Sequence, residues 1–380
     1  MEADPLDGWS LPAWTYRDPE FFALEQERIF RPSWQIVCHE SDVAQAGDWH
    51  SIDYAGESVI VVRGKDGVLR AFTNVCRHRG SRILDGTRGC ASRLVCPYHA
   101  WTYALDGRLT GVPDTTSYPT LDKAKAGLAR VDLERWHGFI FVRLEDDGGP
   151  GIAAMMAPYE ELVAPYRFED LTALGRVTLR PREVNWKNVG DNYSDGLHIA
   201  VAHPGLSRLF GQSYGVEASE HVDRMWGMLE DRPSRNWSER AYQQLLPAVP
   251  HLPPDRQRSW TYLKLWPNVA FDIYPDQVDF MQWLPVGPTQ TLIREISYAL
   301  PDARRAIRAA RYLNWRINRQ VNAEDTVLIS RVQQGMGSRS FSMGPLSEHE
   351  VCLRHFCRRM RHVIPQARDE RQPPPGWSRD

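Results

Sequence analysis

Short apolar segments separated by turn residues fill roughly the first 150 positions of the chain. Asp18 and Pro19 predict the start of a helix over residues 19–30. Strand-sized segments follow, such as WQIVCHE, SVIVVRG and GFIFV, and Gly and Asp interrupt them at close intervals. This pattern predicts an all-β domain that ends in the linker-like stretch DDGGPG at residues 146–151.

Helical and strand patterns are mixed in the rest of the chain. Residues 152–166 and 186–203 have helical patterns, and a strand is expected between them. Residues 261–300 alternate like three antiparallel strands, and a long helix is expected from about Asp302 to Gln334. The second part therefore predicts an α+β domain in which helices pack over an antiparallel sheet.

These patterns divide the chain of 380 residues into an N-terminal arm and helix (1–32), a β domain (33–148) and a larger α+β domain (149–380). The formal net charge of −2 argues against a nucleic-acid-binding protein. The longest apolar runs are too short to cross a bilayer. MEADPLDGW has neither the basic nor the apolar region of a signal peptide, so a cytoplasmic location is expected.

Two cysteines and two histidines give the strongest chemical signal. Cys76, His78, Cys96 and His99 follow the pattern C-x-H-x17-C-x2-H. A structural zinc site would use all four in one tetrahedron, whereas a Rieske [2Fe-2S] cluster would place the cysteines on one iron and the histidines on the other. Each half of this motif supplies one Cys and one His from a loop, so each half can reach both irons of a cluster. This arrangement favours the cluster over zinc. The remaining cysteines have no framework spacing and are expected to be free thiols: Cys38, Cys90, Cys352 and Cys357.

A second group of ligand-type residues lies in residues 185–204. Asp195 and His198 are three residues apart, which places them on neighbouring faces of one helix. His198 and His203 are five apart, roughly 140° around a regular helix, so the helix must break or bulge between them to bring both to one metal. Pro204 fits a helix that ends there. Two histidines with a carboxylate form the facial triad of non-heme Fe(II) sites.

CRHRG followed by CPYHAW resembles the Rieske domain of ring-hydroxylating oxygenase alpha subunits, and the resemblance covers nearly the whole chain. It implies a [2Fe-2S] cluster on the Cys and His residues above, followed by a helix-grip catalytic domain with a mononuclear Fe(II). The iron ligands implied are His198, His203 and an acidic residue of the long helix. Asp325 aligns best with that residue, and Glu324 stays the alternative, since adjacent helical positions point about 100° apart.

The same resemblance implies a role for Asp195 and an assembly. In the family, an acidic residue at this position links a histidine of each metal centre across two subunits, which here would be His99 and His198. Such electron transfer needs a closed head-to-tail ring. The expected assembly is therefore a homotrimer, and whether a beta subunit joins it is left open.

The function implied is that of the terminal component of an oxygenase system. Such a component uses O2 and electrons from a separate NAD(P)H-dependent reductase, carried by flavin, ferredoxin or both; the chain itself has no glycine-rich dinucleotide fingerprint. The substrate is expected to be a small organic molecule, with an aromatic compound, and hence aromatic catabolism, slightly favoured. A quaternary-ammonium or demethylating monooxygenase of the choline or carnitine type is the alternative. A Rieske electron carrier without oxygenase activity and a zinc-stabilised binding protein are the competing classes.

Overall fold

A computed structural model describes residues 5–379, which divide into two compact units. One unit holds Phe30–Ala157 and Phe168–Ala173. The other holds the described residues up to Ile29, Pro158–Arg167 and the chain from Leu174 onward. The predicted fold class is confirmed, because strands dominate the first unit and antiparallel strands with helices make up the second. The predicted domain limits, which are 1–32, 33–148 and 149–380, stay predictions.

The first unit is built on antiparallel strands. Its sheet strands are β1 (Gln35–His39), β2 (Asp48–Tyr54), β3 (Glu57–Arg63), β4 (Leu69–Thr73), β5 (Arg88–Cys90), β6 (Leu94–Val95), β7 (Thr102–Tyr103), β8 (Leu109–Gly111), β9 (Arg130–Trp136) and β10 (Phe139–Arg143). Seven form a sheet in the order β1-β10-β9-β4-β3-β2-β5, and β6-β7-β8 form a second, smaller sheet. The interior strand β3 buries four consecutive positions of its β-branched run. Helix α2 (Ile152–Met156) and the short strand β11 (Thr172–Ala173) complete this unit.

The second unit packs helices against an antiparallel sheet. Its helices are α1 (Pro19–Glu25), α3 (Glu160–Val163), α4 (Trp186–Ser194), α5 (Ile199–Ala202), α6 (Pro204–Phe210), α7 (Trp237–Leu245), α8 (Arg305–Gly335) and α9 (Val351–Val363). Its strands are β12 (Thr178–Arg182), β13 (Gly215–Ala218), β14 (Val222–Met228), β15 (Ser259–Leu265), β16 (Val269–Ile273), β17 (Val278–Gly287) and β18 (Gln290–Ala299). The sheet order is β18-β17-β16-β15-β14-β13, and β12 pairs with β18.

The number of strands in residues 261–300 was predicted wrongly. Four strands are present instead of three, because a tight turn at 266–268 separates β15 from β16 and pairs Leu265 with Val269. Asn268 stabilises this turn by donating its side-chain amide to the Trp283 carbonyl at 2.9 Å. The apolar alternation continues through the turn, so the pattern alone does not mark it.

The predicted helix cap at Asp18 is confirmed. Its carboxylate accepts from the Phe21 amide at 2.7 Å, and Pro19 occupies the first turn of α1. Beyond Glu25 the helix widens into a π-helical turn over Gln26–Phe30. None of the helices in residues 5–379 is long and apolar enough to cross a membrane. The four cysteines outside the cluster motif form no disulfide, as expected: Cys38, Cys90, Cys352 and Cys357.

Helix α4 rests on a buried ion pair. Lys187 and Glu25 are fully buried and bond to each other, and Lys187 also donates to the Thr15 carbonyl at 2.9 Å. The Trp186 indole donates to the second Glu25 oxygen at 3.0 Å. One turn further along α4, Asp191 accepts from the Tyr16 hydroxyl at 2.7 Å. This network fixes the helix that leads into the predicted iron site.

Candidate metal centres

The first unit brings Cys76, His78, Cys96 and His99 together at the tips of two similar loops. Both cysteines are buried at 2% exposure, and the two imidazole rings lie 4.7 Å apart between centroids. Each loop closes with an amide bonding back to a cysteine carbonyl: Gly80 to Cys76 at 3.0 Å and Ala100 to Cys96 at 3.0 Å. The two halves of the motif thus adopt matching turns on opposite sides of one site.

The residue that closes each loop has a left-handed backbone conformation. Gly80 has φ +72°, which glycine adopts without steric cost, whereas Ala100 has φ +55°. An alanine there costs roughly 1–2 kcal/mol. Backbone strain of this kind persists where the surrounding structure imposes it, and it is common at functional sites.

The side chains of this loop pair fit an iron–sulfur cluster. The Nδ1 atoms of His78 and His99 are buried and have no hydrogen-bond partner in the described part of the chain. Burial raises the pKa of the Cys96 thiol, but the backbone amides of Tyr98 and His99 donate to its sulfur and bring the net pKa below its usual value. Two imidazole nitrogens without hydrogen-bond partners, together with two cysteine sulfurs at the same site, are the ligands that a Rieske cluster requires.

Aromatic side chains surround the cluster loops. The Trp101 ring stacks on His78 with centroids 4.9 Å apart, and the exposed Tyr98 ring lies 3.8 Å from that of His99. The Tyr103 hydroxyl is 3.3 Å from the Cys76 sulfur and accepts from the Arg77 amide at 3.0 Å. Hydrogen bonds to cluster sulfurs and solvent exposure both tune the reduction potential of such a centre. The sequence motif gave no signal for the contact from Tyr103.

The helix that carries the second histidine pair breaks in a different place from the one predicted. Helix α4 ends at Ser194, and Asp195 has an extended backbone with ψ 119°. His198 precedes the single turn of α5 and His203 follows it with φ −115°. Asp195 and His198 therefore do not share one helix, and the main break lies before His198 rather than between the histidines. The predicted helix end at Pro204 is correct only for α5, since Pro204 starts α6.

His198, His203 and Asp325 converge on one point. The two Nε2 atoms are 3.0 Å apart, and Asp325 Oδ1 lies 2.9 Å from His203 Nε2 and 3.6 Å from His198 Nε2. These three residues are a group whose ligand atoms all lie within 4.8 Å of one another. Two imidazoles and one carboxylate are a donor set suited to non-heme Fe(II).

Outer hydrogen bonds orient each of these three side chains. His198 Nδ1 lies 3.2 Å from Asp195, and His203 Nδ1 lies 2.8 Å from Glu324, so a carboxylate accepts from each ring on the side away from the triad. The Asn192 amide donates to Asp325 at 2.8 Å. Such contacts fix the tautomer that leaves Nε2 available to a metal. The roles of the two adjacent acids thus differ. Asp325 faces both Nε2 atoms, whereas Glu324 accepts from His203 Nδ1 on the side of the ring away from the triad.

The electrostatics of the triad favour a cation at its centre. Burial lowers the pKa of His198, but Asp195 and Asp325 outweigh it and raise that pKa to about 9. Burial likewise raises the pKa of Asp325, yet hydrogen bonds from His198 and His203 bring it down to about 2. Positive charge between these groups is therefore strongly stabilised, as a divalent metal requires.

A cavity in the second unit opens onto the triad. Helices α4–α6, helix α8 and the inner face of the sheet enclose it, and its polar and aromatic lining residues include Arg182, Tyr193, Tyr214, Tyr262, Asp272, Tyr274, Glu295 and Asn318. Tyr274 and Met281 also line the cavity, whereas the neighbouring Phe271 and Trp283 do not. Phe271 precedes Asp272 on β16, so strand alternation turns it to the opposite face.

Asp272 is a partly buried carboxylate that lines the cavity. Burial raises its pKa to about 6, although the hydroxyls of Tyr193 and Tyr274 donate to it and lower that value. Tyr262 lies directly opposite Asp272 on β15. Burial, with the negative charge of Asp195, Asp272 and Asp325 nearby, raises the pKa of Tyr214. The acid and these tyrosines line the same cavity as the triad.

The fold and the two sites define a class of protein: an oxidoreductase with a Rieske centre and a mononuclear iron. A model of the Rieske [2Fe-2S] domain matches residues 33–122, and a model of the ring-hydroxylating alpha subunit catalytic domain matches residues 168–366. The chain belongs to the family of Rieske oxygenase alpha subunits. The predicted family is confirmed, as are the two cofactors, a [2Fe-2S] cluster and a mononuclear iron.

Several similar proteins are named as oxygenases of quaternary ammonium compounds. The chain is 32% identical to the carnitine monooxygenase oxygenase subunit of Escherichia coli (strain K12), over 93% of both chains. It is 29% identical to the glycine betaine monooxygenase oxygenase subunit of Chromohalobacter salexigens, over 89% of this chain and 82% of the relative. The solved structure of a quaternary ammonium Rieske monooxygenase covers 96% of both chains with a TM-score of 0.79 at 25% identity. Naphthalene 1,2-dioxygenase from Rhodococcus sp. shares the fold, with a TM-score of 0.77 at 21% identity over 93% of this chain and 94% of the other.

Proposed function

We propose that this chain is the oxygenase component of a quaternary-ammonium monooxygenase. Cys76, His78, Cys96 and His99 hold the [2Fe-2S] cluster, and the domain around them spans residues 33–148. His198, His203 and Asp325 hold the mononuclear iron in the catalytic domain, residues 149–380, and 1–32 is the arm that precedes both. The convergence of two Nε2 atoms and Asp325 Oδ1 supports the iron ligands.

The reaction consumes R–H, O2, two electrons and two protons and yields R–OH and H2O. The iron, when bound, supplies the redox chemistry that activates O2. Glu324 and Asp195 hold the imidazoles with Nε2 towards the metal, and Asn192 holds Asp325. The tyrosines of the cavity position the substrate and exclude water from it. The electrons come from a separate reductase with flavin, ferredoxin or both.

Asp195 is proposed to connect the two metal centres of neighbouring subunits. Its Oδ2 already accepts from His198 Nδ1, and its side chain keeps about a fifth of its surface exposed, which leaves it accessible to a second donor. The donor proposed is the exposed edge of His99 in the next copy of the chain. A closed ring of three copies satisfies this contact in every subunit, so the proposed assembly is a homotrimer.

The single observation that supports a quaternary ammonium substrate is the acidic, tyrosine-lined end of the cavity. Asp272 lies among Tyr193, Tyr262 and Tyr274, with Tyr214 nearby. Aromatic faces attract a quaternary ammonium group, and an enclosed carboxylate adds Coulombic attraction. An aromatic hydrocarbon would gain nothing from that carboxylate. The aromatic substrate slightly favoured from the sequence is therefore replaced by its alternative, which the carnitine and glycine betaine relatives also favour.

A single-turnover assay tests this proposal without the natural reductase. The holoenzyme is reduced chemically, mixed with O2 and either trimethylammonium compounds or uncharged aromatic compounds, and the products are identified by mass spectrometry. We expect oxidation of trimethylammonium compounds and no oxidised product from the aromatic set. Oxidation of aromatic compounds alone would contradict the proposal.

Asp195→Asn is expected to slow electron transfer while both metals remain bound. The amide keeps the size of the side chain but loses the charge that attracts two imidazole donors. Removal of such an outer contact costs about 10–100-fold in activity. The measurement is the rate at which O2 and substrate reoxidise the reduced cluster, with iron content as the control. A variant that contains all its iron and reoxidises at the wild-type rate would exclude this role.

A further inference from the structure

A path of aromatic rings leads from the cavity into the core of the second unit. Tyr193, Tyr262 and Tyr274 line the cavity, and their successive ring centroids are 6.3 Å apart. The Trp260 ring lies 4.7 Å from that of Tyr274 and 5.6 Å from that of Tyr242 on α7. Aromatic rings in contact have centroids about 4.5–7 Å apart. The five rings therefore form a continuous path that starts in the cavity onto which the triad opens.

The inner end of this path lies beside a helix that carries exposed rings. Tyr242 is fully buried, but Asn314 of α8 lies beside its hydroxyl. The next residue along α8, Trp315, is half-exposed, and its ring lies 5.9 Å from that of the exposed Tyr312. The aromatic path thus leads from the cavity towards a pair of rings that solvent reaches.

The tyrosines at both ends of the path donate to carboxylates. Tyr193 and Tyr274 donate to Asp272 in the cavity, and Tyr242 donates to Asp276 Oδ1 at 2.8 Å. Asp276 Oδ2 is buried and has no hydrogen-bond partner in residues 5–379. Burial raises the pKa of Asp272 and that of Asp276 to about 6. Each carboxylate is therefore placed to accept the proton that a tyrosine releases when it loses an electron.

Trp260 connects the two tyrosine–carboxylate groups. Its indole is fully buried, its Nε1 donates to the Tyr242 hydroxyl at 3.2 Å, and it does not line the cavity. Core packing needs only the rings, since buried hydroxyls and carboxylates cost free energy that apolar side chains do not. The succession of oxidisable rings with proton acceptors at both ends therefore indicates a redox role in addition to packing.

We propose that this path removes oxidising equivalents from the iron site when O2 is activated but no substrate reacts. One electron moves from a cavity tyrosine to the oxidant at the triad, and the phenolic proton passes to Asp272. Trp260 and then Tyr242 return an electron to the cavity, and Tyr242 passes its proton to Asp276. A thiol in solution supplies the last electron at the exposed rings of α8, and both protons then return to their tyrosines.

Two such passages balance the reaction. O2, two electrons and two protons from the normal supply, and two thiols yield one disulfide and two molecules of water. The path thereby protects oxidisable side chains of the cavity such as the Met281 thioether. This inference rests on the proposed iron ligands but not on the proposed substrate.

The test exposes the holoenzyme without substrate to H2O2, which carries the same oxidising equivalents as O2 with two electrons and two protons. The variants are Trp260→Phe and Tyr242→Phe, which keep an aromatic ring but remove the readily oxidised group. Tyr298→Phe is the matched control, because this equally buried tyrosine stacks on Phe280 on the opposite face of the sheet. Freeze-quenched samples are measured by EPR for an organic radical, and Met281 sulfoxide is measured by mass spectrometry.

For wild type we expect a tyrosyl radical that disappears when a thiol is added. Trp260→Phe and Tyr242→Phe should slow this decay and raise the fraction of Met281 sulfoxide severalfold, because the oxidising equivalents then stay in the cavity. Tyr298→Phe should match wild type in both measurements. Asp325→Ala, which is expected to lose the mononuclear iron, should form no radical.

Several results would overturn the inference. They are the absence of a radical in wild type that contains all its iron, an equal radical yield in Asp325→Ala, or path variants that match Tyr298→Phe. Increased Met281 oxidation in Trp260→Phe but not in Tyr242→Phe, together with a lower melting temperature, would show loosened packing instead. None of these results affects the proposed substrate, which product analysis under turnover tests separately.

Discussion

Asp325→Ala is expected to abolish oxygenation, by at least about 1,000-fold in product yield per turnover, while the Rieske cluster remains intact. The variant removes the only carboxylate oxygen that faces both Nε2 atoms of the triad within the described chain. Loss of the proposed metal ligand and its charge removes several kcal/mol of stabilisation from the reaction. The measurement is single-turnover product formation together with the EPR signal of the reduced cluster.

Glu324→Ala is the matched control on the same helix. Glu324 accepts from His203 Nδ1 at 2.8 Å but has no contact with either Nε2 atom. Without this acceptor the His203 imidazole is oriented less firmly. The variant should therefore lose about 10–100-fold in iron affinity or activity, as is typical when such an outer hydrogen bond is removed. If Glu324→Ala abolishes activity and Asp325→Ala does not, the assignment of the third ligand is reversed.

Lys187→Met is expected to lower the free energy of unfolding of the second unit by about 3–5 kcal/mol, because it leaves the Glu25 carboxylate buried and unpaired. For a domain of this size the melting temperature should fall by roughly 6–20 °C. The measurement is thermal unfolding followed by circular dichroism. The pair is buried completely, so solvent screening does not reduce the effect.

The double variant Lys187→Met/Glu25→Leu distinguishes a buried charge from lost packing. Apolar residues of similar volume in place of both partners should recover most of the stability, since no uncompensated charge remains. The Trp186 indole, which donates to Glu25, then loses its acceptor, so recovery is incomplete. A double variant as unstable as Lys187→Met would show that packing rather than charge governs this position.

The convergence of Cys76, His78, Cys96 and His99 was predictable from sequence because these residues lie within two short loops. Each loop carries its own Cys and His, and the turn chemistry at Gly80 is visible in the sequence. The left-handed backbone conformation of Ala100 was not predictable, because an alanine in the sequence gives no signal for it. The hydrogen bond between Tyr103 and Cys76 depends on the pairing of β6 with β7, which no local pattern specifies.

The convergence of two histidines with an acid of the long helix was predictable from sequence, but the backbone that brings them together was not. Spacing alone required a distorted helix, yet it could not show that α4 ends before Asp195 and that Asp195 accepts from the amides of Leu197 and His198 in the turn before α5. The choice between Glu324 and Asp325 depends on how α8 is rotated against α4 to α6, which is a matter of tertiary packing. The cavity is the hardest feature to predict from sequence, because its charged lining residues come from separate strands: Arg182, Asp272 and Glu295.

Metal and sulfide analysis of the anaerobic protein tests the central claim, two different iron centres in one chain, most directly. It is combined with EPR of the reduced protein and with the same analysis of Asp325→Ala. We expect three irons and two sulfides per chain with a Rieske-type signal, following the ligand chemistry of the two sites, and two irons with an unchanged signal in the variant. Two irons in both proteins would leave an electron carrier without an oxygenase site, and zinc in place of iron would contradict both centres.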